Sequence, residues 1–300
     1  MLADLWAPWC HTCLSMQALV LTEAQVPELA QVVRLAIDTE RSENEQFLQR
    51  YPAVVWPTFY LIDPETRRVR GRWLGGASPE QLGQWLREAS GGSAGEAEAV
   101  LRQADEQAAQ RQLPEAEASY RDALTKPELE PAQRNRALVA LVSTLLKQKK
   151  FSECLQLARD EAAQLPPSVS AVDFSASALS CADGAADPTQ ARAARLAAEA
   201  VLARDCSTRA PGVSADDQAD ACDNLRGARV ALGELAGATR AAEQALAVID
   251  AACVGAAPEL QAIYDWHRSS TLVYLGRSQQ AITLLEERER ALPNSYNPPH

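Results

Sequence analysis

The chain has 300 residues, 47% of them apolar and 23% charged, with a formal net charge of −11. That length exceeds what a single compact core usually organises, and the balance is that of folded protein, not of a disordered polymer. Acidic side chains outnumber basic ones 40 to 29 and only four residues are lysine, which argues against nucleic acid as a partner; no apolar run reaches the roughly 18–20 residues a bilayer requires, so no membrane segment is expected.

In chain order, Leu2 to Ala7 has the character of a buried strand end, and 32–37, Thr58 to Ile62 and Val69 to Leu74 are three further strand candidates rich in β-branched and aromatic residues. Helical stretches alternate with them, at about His11 to Glu23, Arg41 to Arg50 and Pro79 to Ala89. The last opens on Ser78-Pro79-Glu80-Gln81, where Ser78 can cap, Pro79 suits the first turn and Gln81 can complete a capping box. The predicted order is βαβαββα, a parallel pair extended by a hairpin with helices on both faces.

Composition then changes. Five of the six tryptophans (Trp6, Trp9, Trp56, Trp73, Trp85) precede residue 90, and only Trp266 lies beyond. Residues 90–95, Ser-Gly-Gly-Ser-Ala-Gly, have the composition of a short flexible linker between a domain spanning 1–89 and a second spanning 96–300.

The second part is helical throughout, and four of its segments align on a small residue three positions after their first: Leu113 with Ala116, Phe151 with Cys154, Leu235 with Ala238, Ser278 with Ala281. The spacings are 38, 84 and 43 residues, so one weaker unit is expected in the long gap, near Ala191 to Ala198, for about five helix pairs. Leu138, Leu141, Val142 and Leu145 supply the apolar face of a first helix. The pattern resembles the tetratricopeptide repeat, best at 276–282 and Leu113 to Leu124, although the period is longer and the first-helix Trp and Gly-Tyr positions are mostly unfilled. An Ala-rich helical bundle is the alternative.

Seven cysteines are too few for a disulfide-stapled miniprotein, and an odd number leaves at least one sulfur without an internal partner. Cys10-His11-Thr12-Cys13 follows a strand and opens a helix. No second pair of ligands lies within the first 89 residues, which disfavours zinc, and no metal or other cofactor is expected beyond the redox-active disulfide itself. At a helix N-terminus Cys10 meets unpaired backbone N–H groups and the positive end of the dipole, both favouring the nucleophilic thiolate. Cys13, one turn deeper, is placed to resolve a mixed disulfide. Cys154 fits as a packing residue, while Cys206 and Cys222 flank a polar break that a disulfide would close, a bond that would point to an oxidising compartment. Cys181 and Cys253 are unassigned.

The segment Asp4-Leu5-Trp6-Ala7-Pro8-Trp9-Cys10-His11-Thr12-Cys13 resembles the active-site segment of the thioredoxin superfamily, and Trp56-Pro57-Thr58-Phe59 sits where that family carries its cis-proline. The resemblance implies an α/β thioredoxin fold, followed here by an all-α tetratricopeptide-like domain. It implies a protein-disulfide oxidoreductase with Cys10, Cys13, Asp4 and Pro57 as its catalytic set.

Asp4 matches the buried carboxylate that takes the Cys13 proton; the plain alternative is a strand-end Asp bonded to backbone. Arg34 matches the family's cationic partner of that carboxylate, or is an exposed strand Arg. Trp9, Trp56 and Thr58 are the client-contacting candidates, with packing as Trp9's alternative. His11 and Thr12 replace the Gly-Pro of the best-known motif; His11 either favours the thiolate as a cation or points to solvent. Similarity to a periplasmic reductase branch favours reduction or general exchange, a bacterial extracytoplasmic setting and an upstream electron donor, with a cytoplasmic one as the alternative. Both ends look clipped, since the first strand starts almost at Met1 and Asn297-Pro298-Pro299-His300 stops where another helix could begin. The helical part is expected to hold a client or partner near Cys10; an adaptor whose thioredoxin-like part is structural or redox-sensing is the competing reading.

Overall fold

A computed structural model describes residues 1–91 and 95–293. Residues 92–94 of the expected 90–95 linker and the segment 294–300 fall outside the described residues.

The chain is mostly helical, with one small mixed sheet. Strands β1 (Leu2–Trp6), β2 (Arg34–Asp38), β3 (Thr58–Ile62) and β4 (Val69–Leu74) lie in the order β2-β1-β3-β4. The β1–β2 pair is parallel, and β3 runs antiparallel to both β1 and β4. Helix α1 (His11–Ser15) continues into a wider turn, Met16–Val20, which is shorter in total than the stretch expected from sequence. Helix α2 (Glu45–Arg50) follows a tight turn at Ser42–Asn44, and α3 (Pro79–Ser90) starts with the expected reciprocal cap between Ser78 and Gln81.

Strand alternation sorts the sheet's side chains into two cores. Leu2, Phe59, Leu61 and Trp73 pack with Met16, Val20, Leu82, Trp85 and Leu86 on the α1/α3 side. Ala3, Leu5, Tyr60, Ile62 and Val69 pack with Tyr51, Phe47 and Leu48 on the α2 side.

The helical part begins with α4 (Glu96–Ala109) and α5 (Leu113–Leu124), then α6 (Pro131–Lys147), α7 (Phe151–Glu161), α8 (Val169–Gly184), α9 (Pro188–Ser207), α10 (Ala215–Leu232) and α11 (Leu235–Cys253). It ends with the short α12 (Pro258–Ile263), α13 (Asp265–Tyr274) and α14 (Ser278–Ala291). Successive helices pack as hairpins, α4 on α5, α6 on α7, α8 on α9, α10 on α11 and α13 on α14, and neighbouring hairpins pack through α6 on α8 and α7 on α9. Leu138, Leu141, Val142 and Leu145 are fully buried at the centre of this core. Among the described residues, no helix is long and apolar enough to cross a membrane.

Two arrangements join sheet and helices. The first covers the free edge of β4. A bulge at Leu61/Ile62 inserts one residue into the β4 register, so outward-facing N–H groups fall three apart instead of two. Val69 N–H donates to Glu106 Oε2 at 2.7 Å and Arg72 N–H donates to Asp105 Oδ2 at 2.8 Å, both acceptors on α4. An edge that would template pairing with another chain is thereby closed by carboxylates. Behind it, Asp105 also accepts from Arg136 Nη1 at 2.9 Å and from the Tyr120 hydroxyl at 2.6 Å, while Arg136 Nη2 donates to Glu98 at 2.8 Å. The second arrangement lies at the other end of the sheet, where Gly75 and Gly76 approach the helices. A Cβ on Gly75 would sit 2.2 Å from Asp173 Oδ2, and one on Gly76 would sit 2.8 Å from Val169 and 3.0 Å from Asp217.

Three disulfides are present. Cys10–Cys13 lies in the sheet part, Cys154–Cys181 ties α7 to α8, and Cys206–Cys222 ties α9 to α10. The Cys206–Cys222 bond is the one expected across the polar break. Cys154 corrects the packing assignment: it is fully buried in the helical core, as a packing residue would be, but bonded there to Cys181. Cys253 is the buried free thiol.

Candidate redox site at the first helix

The residues after β1 turn through Ala7 to Cys10, where Cys10 N–H donates to Ala7 carbonyl at 3.0 Å and Cys10 becomes the cap of α1. In this position its Sγ accepts the Cys13 backbone N–H at 3.0 Å. A sulfur that accepts a helix-terminal N–H is stabilised as a thiolate once the disulfide is reduced. Both sulfurs are buried, beside Ala7, Trp6 and Trp56.

The Trp56–Pro57 bond is cis. Trp56 is held by its indole, which donates to Thr39 Oγ1 at 3.0 Å, and its ring lies 5.3 Å from that of Trp9. Trp9 itself is 49% exposed, the largest exposed aromatic surface beside the disulfide. The Pro57 carbonyl accepts Gly75 N–H at 2.9 Å and so is already occupied. No described hydrogen bond uses the N–H or carbonyl of Trp56, which leaves that peptide edge for an extended ligand.

Thr58 departs from the expectation. It opens an inner strand that is buried on both faces, and is itself fully buried with its hydroxyl donating to Val55 carbonyl at 2.6 Å. It shapes the loop before β3 and offers no surface to a client.

Asp4 is buried on the α1 side of the sheet, with Gln17 donating to Oδ2 at 3.2 Å. Burial pushes its carboxyl up to about 6, against a smaller downward pull from Gln17 and from the more distant Arg34. Arg34 does not bond Asp4. It is exposed, and its Nη1 donates to Leu21 carbonyl at 2.6 Å, so it acts on Asp4 only through space and mainly ties β2 to the end of the α1 segment.

His11 neither points to solvent nor lies free beside Cys10. Its ring stacks on Trp266 at 4.4 Å with planes 13° apart and meets His267 edge-on at 4.5 Å. Its Nδ1 is 3.6 Å from Asp216 Oδ2 and its Nε2 is 3.6 Å from Asp220 Oδ1. Burial alone would lower its affinity for a proton, but the Asp220 and Asp216 carboxylates outweigh this and hold it above the ordinary histidine value. Thr12 donates to Asp220 Oδ2 at 3.1 Å. Both residues between the cysteines are therefore covered by the helical part.

The Cys10–Cys13 disulfide thus packs with Trp56, which Trp9 faces in turn, Asp4 is bonded to Gln17, Thr58 is buried out of reach of the surface, and Asp216, Asp220, Asp223, Trp266 and His267 gather around His11. These five lie about 200 residues further along the chain, beyond the reach of any local motif around Cys10. A signal was present: Asp216, Asp220 and Asp223 recur at i, i+4, i+7, a stripe of like charges that destabilises a helix unless cations face it.

No protein-family model matches the chain, and neither a curated protein nor a solved structure matches it.

Proposed function

We propose that the chain is a thiol–disulfide oxidoreductase acting on protein disulfides, built from a thioredoxin-like domain and tetratricopeptide-like helical hairpins. The observation that carries this reading is the placement of Cys10: it caps α1 with its sulfur on the Cys13 N–H, beside the cis Trp56–Pro57 bond. The strand order β2-β1-β3-β4 and the buried Asp4 support it further.

In the reducing direction, the Cys10 thiolate attacks one sulfur of a client disulfide, forming a mixed disulfide and releasing the first client sulfur as thiolate. Asp4 takes the proton from the Cys13 thiol, and Cys13 then attacks Cys10 Sγ. The Cys10–Cys13 disulfide forms, the Cys10–client bond breaks, and the second client thiolate leaves. Two electrons have passed from the Cys10/Cys13 dithiol to the client, and a dithiol donor must restore them. Trp9 and the unengaged Trp56 peptide edge receive the client beside Cys10. A bacterial extracytoplasmic setting fits the two disulfides of the helical part, since such bonds persist in oxidising compartments.

A second reading has its own support. Cys10 is only 5% exposed and its neighbours His11 and Thr12 are covered by the helices, as suits an adaptor whose redox pair is structural or sensing. Turnover of a generic protein disulfide with a dithiol donor separates the two. The oxidoreductase reading predicts turnover that Cys10→Ser abolishes; a wild-type chain without turnover contradicts it.

A further inference from the structure

Around His11 four side chains from three elements converge: His11 of α1, Asp216 and Asp220 of α10, and His267 of α13. One donor atom from each lies within 4.8 Å of all the others. Asp216 and His267 are almost wholly buried, at 0% and 1% exposure. Both oxygens of Asp216 and Nε2 of His267 have no hydrogen-bond partner among the described residues. A carboxylate buried without partners is costly, so a cation is expected to face it in the folded state, either a protonated imidazole or a bound metal ion.

The orientation of His267 says what kind of cation. Its Nδ1 lies 2.7 Å from Asp223 Oδ2, and its Nε2 faces Asp216 Oδ1 at 3.3 Å and Asp220 Oδ1 at 3.7 Å, so with Nδ1 donating to Asp223 it is Nε2 that is placed to take a metal ion. A carboxylate behind one imidazole nitrogen, with the other nitrogen facing acidic donors, is the arrangement that supports metal-bound histidines. Four donors each roughly 2.0–2.1 Å from a tetrahedral zinc ion stand about 3.3 Å from one another. With one donor atom taken from each residue, the four lie within 4.8 Å of one another, so the side chains must draw together by up to about 1.5 Å to complete such a shell. Two carboxylates also neutralise a divalent ion.

We propose that His11, Asp216, Asp220 and His267 form a binding site for a divalent first-row transition cation, with zinc as the best-fitting member, and that Asp223 orients His267 behind it. The donor set, two imidazoles and two carboxylates without cysteine, suits Zn²⁺ better than the oxygen-only shells of Ca²⁺ or Mg²⁺. The site is independent of any exchange chemistry at Cys10 and Cys13. A cation there ties the residue between the two cysteines to α10 and α13, fastening the helical part across the start of α1.

The test uses the full chain with its disulfides intact, stripped with a chelator, and titrated with Zn²⁺ by calorimetry and with Co²⁺ by absorption. Oxidation keeps Cys10 and Cys13 from acting as ligands. The expected result is one equivalent bound, with visible Co²⁺ bands and no thiolate-to-metal charge transfer. His267→Gln and Asp216→Asn should weaken binding at least 100-fold, and Asp223→Asn by about 10- to 100-fold. Because His267 is buried, His11→Ala serves as the more surface-placed variant; it should weaken binding at least tenfold with its circular dichroism spectrum retained. Failure of the oxidised wild type to bind, unchanged affinity in His11→Ala, or binding seen only after reduction with thiolate bands would each overturn the proposal. The first of these, with both ring nitrogens of His267 protonated by NMR, would identify an imidazolium in place of the cation.

Discussion

His11, between the two cysteines of the Cys10–Cys13 disulfide, lies flat against Trp266, with ring centroids 4.4 Å apart. The contact spans the two differently composed parts of the chain and means that the later helices are docked on α1 itself. Thr12 repeats the contact through Asp220. On the proposed function, the side of Trp9 and Trp56 is the one left for a client to reach Cys10.

Removing Trp266 should loosen that docking. Trp266→Ala is expected to cost about 1–3 kcal/mol, less than a fully buried tryptophan because the ring is only partly enclosed. In the reduced protein it should also speed alkylation of Cys10. Urea denaturation and timed alkylation read the two effects; an unchanged alkylation rate would show that the stacked ring does not limit access.

Asp4 makes stability and chemistry respond to pH in opposite ways. Its carboxyl is raised to about 6 from an ordinary 3.8, so between these values the folded chain holds more protons than the unfolded one. The stability contributed by the protonated group is full below about 4 and is lost as pH rises through about 6. Asp4→Asn should thus stabilise the protein at pH 7 by about 1–3 kcal/mol relative to its effect at pH 4. The same variant should slow resolution of the mixed disulfide at neutral pH. Denaturation at both pH values tests the first statement; stopped-flow kinetics across pH tests the second.

Asp105 is the hub where the sheet edge meets the helices. It accepts from Arg72 N–H, the Tyr120 hydroxyl and Arg136 at once. Asp105→Ala leaves buried Arg136 with Glu98 as its remaining carboxylate and uncovers an edge N–H, a change expected to cost about 3–5 kcal/mol. Chemical denaturation measures the loss. Size-exclusion chromatography should show association through the reopened β4 edge.

The parts of this structure that are local in sequence were readable from it. Alternation placed β1, β3 and β4 within a residue of their observed bounds, Ser78 and Gln81 announced the start of α3, and small-residue spacing marked the helix hairpins, including the weak one at α9. The Cys10–Cys13 pairing and the cis bond before Pro57 were legible because motif and element coincide. Thr58 opens an inner strand covered on both faces, a burial that depends on the packing of both layers and not on the residues beside it. The Cys154–Cys181 bond was hidden because a cysteine at a small-residue position has a sufficient packing explanation. The His11–His267 region depends on tertiary contact across more than 200 residues, and a single sequence carries only its one-sided trace, the acidic stripe on α10.

Trapping the exchange intermediate tests the redox reading most directly. Cys13→Ser removes the resolving thiol, so Cys10 should remain joined to a disulfide-bonded client, and peptide mass spectrometry should find the cross-link at Cys10. A cross-link at Cys253, or none while the wild type is reduced and folded, would contradict the assignment of Cys10 as the nucleophile.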